Sequence, residues 1–252
     1  MKCVFLTITL SFLFLSAPGV PAAAQDSKAC RQHGFENSSF LVCEFDSEKD
    51  ELRLARTDRD GRVLGGLAAL GKSLGADSGR VLFAMNAGMF DPQGTPVGLY
   101  VENGVVKHDL NTRSGSGNFY LKPNGVFWMD SAQGLHVDTT DNYGAKNPHS
   151  IWATQSGPML VIAGKLNSQI DPDGSSRYVR NGVGIRDAHH AVFVISDAPE
   201  SFGKLARFFR DELNCQDALY FDGAISSIWV PALYRQDNAA ALGPMAVVLL
   251  RK

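Results

Sequence analysis

The sequence predicts an α+β fold: a single domain on a large mixed β-sheet, with few helices and a C-terminal β-α-β unit. Three observations lead there. Strand-like apolar runs outnumber helical segments several-fold, and the 25 glycines concentrate in the turns between them. One well-marked amphipathic helix also separates two buried strands. Residues 192–196 and 218–221 read as those strands, and between them Phe202, Leu205, Ala206, Phe209 and Leu213 share one helical face over residues 199–214. Asp197 and Glu200 stand three apart as a capping box, with Pro199 tolerated in the first turn. Such a crossover predicts a right-handed connection between parallel strands.

The elements follow in chain order. Residues 1–24 read as a signal peptide: Lys2 supplies the positive start, residues 3–15 carry no charge, and Ala22, Ala23 and Ala24 form a small-residue cleavage site. The apolar run is shorter than the roughly 20 residues that span a bilayer. The chain beyond it is expected to be exported, periplasmic or secreted, with no membrane span. The stretch from 25 to about 38 is polar and reads as loose. Residues 40–45 and 51–55 resemble two strands around the turn 46–50, and 65–74 a short helix. This N-terminal portion, residues 25–79, belongs to the same domain as residues 80–252. In that larger portion strands are expected at 80–85, 97–101, 105–106, 118–121, 126–129, 135–139, 151–155, 159–163, 183–186 and 245–250. Asn103-Gly104 marks a tight hairpin.

Composition narrows the partners. The chain has 24 Lys and Arg against 26 Asp and Glu, a net charge of −2, and no basic stripe. Nucleic acid and anionic membrane surfaces are therefore not its main partners. Beyond the signal, Cys30, Cys43 and Cys215 remain. An exported chain permits one disulfide, of which Cys30–Cys43 is the local option, but sequence leaves the pairing open. Cys215 reads as a buried thiol.

Several motifs are decoys. Residues 66–73 match a phosphate-loop pattern, yet no buried strand precedes them and Leu, Ala, Ala and Leu fill the cradle, so an ordinary helix is the better reading. Ser201 and Lys204 match S-x-x-K without the Lys-Thr-Gly that accompanies it in penicillin-binding enzymes. His189 and His190 would point to opposite faces of a strand and read as a turn rather than a metal site. The residues from Asp171 to Gly174 lack the twelfth-position acid of a calcium loop. No metal or cofactor is called for.

The remaining polar motifs lie where strands end or glycines bend the chain. They are Asn86-Ala87-Gly88-Met89-Phe90, Thr95-Pro96-Val97-Gly98, Gln155-Ser156-Gly157-Pro158-Met159, Arg180-Asn181-Gly182-Val183-Gly184-Ile185-Arg186 and Asp222-Gly223-Ala224-Ile225-Ser226-Ser227. Singly, each has a structural reading: Asn86 as a turn residue, or one of the arginines paired with Asp187 or Asp197. Together they supply amides, hydroxyls, guanidinium groups and a carboxylate, which suits a small, polyhydroxylated, anionic ligand. Asp222, at the carboxyl end of a strand and followed by glycine, is the acid of choice. Arg180 and Arg186 have the even spacing that puts both on one strand face.

In order and spacing these motifs resemble the phosphodiester glycosidase family from about residue 80 to residue 250. The strongest parts are 86–90, 155–160, 180–184 and 219–223. One branch of that family carries a Gly-Gly-Gly-Ser-type run after the aspartate; here only Gly223 and the serines match, which places the chain nearer the small bacterial branch. The resemblance implies hydrolysis between an anomeric carbon and a phosphodiester oxygen, on substrates like N-acetylglucosamine-1-phosphodiesters. Ordinary glycosidases need a second carboxyl group to protonate the leaving alkoxide, whereas a phosphodiester oxygen leaves as a stable anion. Asp222 is then nucleophile or general base, and Arg180, with Arg186, holds the phosphate. Asn86, Ser156 and Ser226 orient the sugar, with Gly88, Gly98, Gly157 and Gly223 leaving room for it. Two other readings stay open: a non-catalytic sugar-phosphate binding module of the cell envelope, and a metal-dependent phosphodiesterase cutting the P–O bond.

Overall fold

The computed structural model describes residues 1, 27, 29–238 and 240–252; the signal-peptide segment lies outside them. Among the described residues, seventeen strands form three sheets. The first sheet orders β1 (Cys30–Phe35), β2 (Ser38–Asp46), β13 (His190–Ser196), β12 (Asn181–Ile185), β14 (Asp217–Tyr220), β10 (Met159–Ile162) and β11 (Lys165–Leu166). The second orders β16 (Arg235–Gln236), β15 (Ile228–Val230), β4 (Val81–Asn86), β17 (Met245–Leu250) and β3 (Asp50–Ala55). The third orders β6 (Val105–His108), β5 (Tyr100–Glu102), β9 (Ser150–Ser156), β7 (Gly125–Asp130) and β8 (Leu135–Thr139). With three short α-helices among the described residues, the chain is a single α+β domain.

Inner faces of all three sheets meet in one core, where Phe83, Phe127 and Phe193 from three strands and Phe221 just beyond β14 pack ring against ring. Each outer face takes one helix: α1 (Leu67–Leu74) on the second sheet, α2 (Thr140–Lys146) on the third, and α3 (Phe202–Arg207) on the first. Alternation along β2 serves both layers. Leu41, Cys43 and Phe45 enter the shared core, while Phe40 and Val42 face α3.

Four local expectations are corrected. The two strands flanking α3 are not neighbours: β12 lies between them, antiparallel to both, and every ladder among the described residues is antiparallel. A short turn, in which the Asp187 carboxylate accepts from the amides of His189 and His190, closes β12 onto β13 and takes the edge that a parallel strand would need. Helix α3 starts at Ser201, whose hydroxyl accepts from the Lys204 amide, and Glu200 pairs with Lys204 instead of capping. After Arg207 the helix widens to a π-turn (Phe208–Glu212), which buries both Phe208 and Phe209. Residues 30–35 form strand β1 rather than a loose leader, tied to β2 by the Cys30–Cys43 disulfide; Cys215 is buried and free. The expected strand at 118–121 is a 3₁₀ turn (Asn118–Tyr120). The hairpin at Asn103-Gly104 forms as read, both residues having positive φ.

Gln155 knots the loops around the third sheet. Its carbonyl oxygen accepts from the amides of Leu99 and Asn111, and its amide donates to Asn111 O and Thr140 Oγ1, all at 2.8–3.0 Å and buried. Gln155→Leu would strand these partners in the interior. It should cost at least about 3 kcal/mol, read as a lower denaturant midpoint with unchanged slope.

Candidate active site

The last ladder bond of β12 and β14 sets the site. Gly182 opposes Tyr220, and the Phe221 amide still donates to Asn181 O at 3.1 Å. Continuing that register puts Arg180 opposite Asp222, and opposed residues of an antiparallel pair share a face. The backbones of Arg180 and Asp222 thus leave the ladder at the same end of the first sheet, and the charges of both act on the Tyr220 hydroxyl.

Asp222 is held by its backbone. Asn86, at the end of β4, donates from Nδ2 to Asp222 O at 3.0 Å; its Oδ1 accepts from Asn181 Nδ2 at 2.9 Å and from the Ser227 amide at 2.8 Å. Ser156, at the end of β9, donates to Phe221 O at 3.1 Å, and Ser226 donates to Val179 O and Asn181 Oδ1. The Gly223 amide donates to the Tyr220 hydroxyl at 2.7 Å, so closely that no side chain fits at position 223. Among the described residues the Asp222 carboxylate accepts one bond, at Oδ1 from the Ala224 amide at 3.2 Å. Burial raises its carboxyl above the usual carboxylate range, only partly offset by that amide.

Arg180 is fully buried. Its Nε donates to Glu200 O at 2.6 Å, and Nη2 to Ser176 O and Oγ at 3.2 and 3.1 Å. Its guanidinium lies 3.6 Å from the Phe202 ring centre, with the Tyr220 and Tyr178 rings at 5.4 and 5.6 Å. Among the described residues no carboxylate forms an ion pair with Arg180, and Nη1 has no hydrogen-bond partner. Desolvation pulls its pKa below the usual arginine value. Burial pushes the Tyr220 hydroxyl up to about 12, against the pull of Arg180, so it stays protonated at neutral pH.

The sequence-predicted residues separate into three groups. Asp222 and Arg180 follow the same end of the β12–β14 ladder, with Tyr220 interacting with both. Asn86, Ser156 and Ser226 are brought there too, with hydrogen bonds inside the protein: Asn86 to Asp222 O, Ser156 to Phe221 O, and Ser226 to Val179 O and Asn181 Oδ1. The Cβ sides of Gly88, Gly98 and Gly157 are likewise filled, by Thr154 and Gln155, by Gln155 and Phe119, and by Asn124 and Phe119 O. Their freedom serves close chain packing there rather than ligand space. Arg186 is corrected outright. It stands at the other end of β12, about 20 Å along an extended strand, where it pairs with Glu44 at 3.1 Å and donates to Leu213 O. Sequence reasoning passed over Asn181, Tyr220, Ser176 and Phe202. Asn181 and Tyr220 lie inside quoted motifs, and a polar residue beside each charged one was the available signal. Among the described residues no group of three or more His, Cys, Asp or Glu side chains is placed to hold a metal ion.

A half-buried carboxyl group and a buried cation with no ion-pair partner among the described residues follow the same end of the β12–β14 ladder within this three-sheet fold. The sequence model of the family described as phosphodiester glycosidase matches residues 79–248, and the chain belongs to that family. It is 34% identical over 231 residues to the uncharacterized protein YigE of Escherichia coli (strain K12), covering 91% of this chain and 85% of that one. In fold it is similar to the zebrafish N-acetylglucosamine-1-phosphodiester alpha-N-acetylglucosaminidase catalytic domain auto-inhibited by its pro-peptide. The TM-score there is 0.59 at 13% identity, over 91% of this chain and 87% of that one. A protein from Burkholderia pseudomallei K96243 gives 0.53 at 11% identity, over 87% and 74%.

Proposed function

We propose that the protein hydrolyses the bond between a sugar's anomeric carbon and a phosphodiester oxygen, on substrates like N-acetylglucosamine-1-phosphodiesters. The observation that carries this is Arg180, a buried guanidinium with no carboxylate partner among the described residues, at the same end of the β12–β14 ladder as Asp222. An unbalanced cation in low dielectric favours a bound anion, and favours most the oxygen on which charge grows as the C–O bond breaks. The electron pair of that bond leaves with the phosphate, which needs no proton. Asp222 attacks the anomeric carbon, or takes the proton from the water that does. One carboxylate therefore suffices where ordinary glycoside hydrolysis needs two.

Export supports the same setting. The N-terminal pattern reads as a signal, the Cys30–Cys43 disulfide suits an oxidising compartment, and no described helix is long and apolar enough to cross a membrane. The test is a product assay on UDP-N-acetylglucosamine and on the methyl phosphodiester of N-acetylglucosamine, with and without chelator. Free sugar, insensitive to chelator, is the expected product. Sugar phosphate would mean P–O cleavage, and saturable binding without product would mean a binding module; either result overturns the proposal.

A further inference from the structure

A phosphate can reach Arg180 only if a group now packed against it gives way. The three nitrogens of the guanidinium differ in what holds them. Nε bonds to Glu200 O, within a two-residue bridge in which Glu200 and Tyr178 exchange backbone hydrogen bonds. Nη1 has nothing. Nη2 bonds to Ser176 through its carbonyl and its hydroxyl, and the Tyr220 hydroxyl also interacts with the guanidinium.

Ser176 lies on a strap. One end is pinned at Pro172, whose carbonyl accepts from Arg207 Nη1 at 2.8 Å and packs tightly on Gly203. The other end is pinned at Tyr178 by its bridge to Glu200. Residues 173 and 175–177 between the pins are exposed. The turn from Asp171 to Gly174 and the bonds of Arg177 to the carbonyls of Gly174 and Ser176 are internal to the strap. Among the described residues, every hydrogen bond from 173–177 to the protein beyond the strap ends on Arg180. Beside it opens a pocket of about 280 Å³ lined by Leu121, Gln169, Asp171, Ser176 and Phe202, large enough for a phosphate group.

We propose that Ser176 is the resident ligand of an anion site on Arg180: its two neutral oxygens hold the place of a phosphoryl group, which displaces residues 173–177 on binding. This rests on the reading of Arg180 as the phosphate-binding group. The exchange is favourable because a phosphate oxygen makes charge-assisted bonds, roughly twice as strong as neutral ones, and supplies the acceptor that Nη1 lacks. The strap supplies Nη2 with neutral acceptors in place of a carboxylate, which would be far harder to displace.

The test is calorimetric titration of the folded protein with inorganic phosphate, in the absence of any glycoside. Ser176→Gly removes one self-contact and loosens the strap, so it should bind phosphate more tightly than wild type, by up to about tenfold. Ser176→Asp ties a carboxylate to Arg180 and should bind at least about tenfold more weakly. Saturating phosphate should also speed tryptic cleavage after Arg177, the reverse of ordinary ligand protection. A Ser176→Gly protein that binds phosphate no better than wild type overturns the proposal, and so does phosphate protecting Arg177. The exposed position makes both variants compatible with folding, which near-UV circular dichroism checks. If phosphate affinity responds as stated but no sugar is ever released, the anion site stands and the reaction fails. Normal sugar release with unmoved phosphate affinity means the opposite.

Discussion

Asp222→Asn should lower kcat by at least about a thousandfold while the protein melts at or above the wild-type temperature. Both halves follow from how the residue is held. The backbone of residues 221–223 is fixed by Asn86, Ser156, Asn181 and the Tyr220 hydroxyl, none of which bonds to the Asp222 carboxylate. Asparagine keeps the shape and can still accept from the Ala224 amide, so the local structure survives. What disappears is the negative oxygen that attacks or deprotonates, and an amide cannot replace it.

The stability half is a matter of sign. Burial raises the folded-state pKa of Asp222 above its unfolded value, so folding favours the protonated form. Its stabilising contribution is present below the unfolded pKa, about 3.9 for an ordinary aspartate, and is lost as pH rises through the folded value. At neutral pH the ionised carboxylate therefore destabilises the fold, and the asparagine variant carries no such burden. Thermal melts should show the variant's advantage at pH 7 and see it close in acid. The same shift places the acid limb of the wild-type kcat/KM profile above the range of an exposed aspartate. A variant that turns over at a tenth of the wild-type rate or better would remove Asp222 from the chemistry. A fall in Tm of many degrees would show that its charge serves the fold instead.

Local signals were legible and long-range ones were not. Asn103-Gly104 announces its hairpin because a two-residue turn needs positive φ at both positions, and the run before Ser196 announces a buried strand because both its faces are covered. Asp222 followed by Gly223 was visible as a strand end with close approach. The insertion of β12 between β13 and β14 was not, because partner choice depends on which segments close first, and periodicity carries no record of that. Arg186 shows the same gap on a smaller scale. Even spacing correctly implies one face of a strand, yet says nothing of which end of the strand meets the site. The glycines erred in the other direction. A glycine beside a polar motif reads as room for a ligand, whereas at Gly88, Gly98 and Gly157 the neighbour that needs the room is the protein's own chain. Burial decides between those meanings, and burial is a property of the assembled sheets.

Arg180→Met should lower kcat/KM by at least about a hundredfold, the effect of losing one group aimed at developing negative charge, while shifting Tm by only a few degrees. The contrast arises because the wild-type residue is a poor stabiliser. Enclosing a guanidinium without a counter-ion costs several kcal/mol of hydration, which its bonds to Glu200 O and Ser176 and its stacking on Phe202 roughly offset. Methionine has no such charge, fills much of the same volume, and makes favourable sulfur contacts with the rings of Phe202 and Tyr220. Arg180→Ala separates volume from charge: it loses the same activity but leaves a hole against those rings, costing about 3 kcal/mol. Arg180→Lys keeps the charge without the planar fork and should fall between wild type and methionine in kcat/KM. If methionine retained more than a tenth of wild-type activity, the cation would have no catalytic part. If it unfolded the protein as alanine is expected to, Arg180 would be a structural residue and its missing carboxylate partner an accident of packing. If both results hold, a buried cation kept at little net gain in stability, at the same end of the β12–β14 ladder as Asp222, is explained by an anion that it receives.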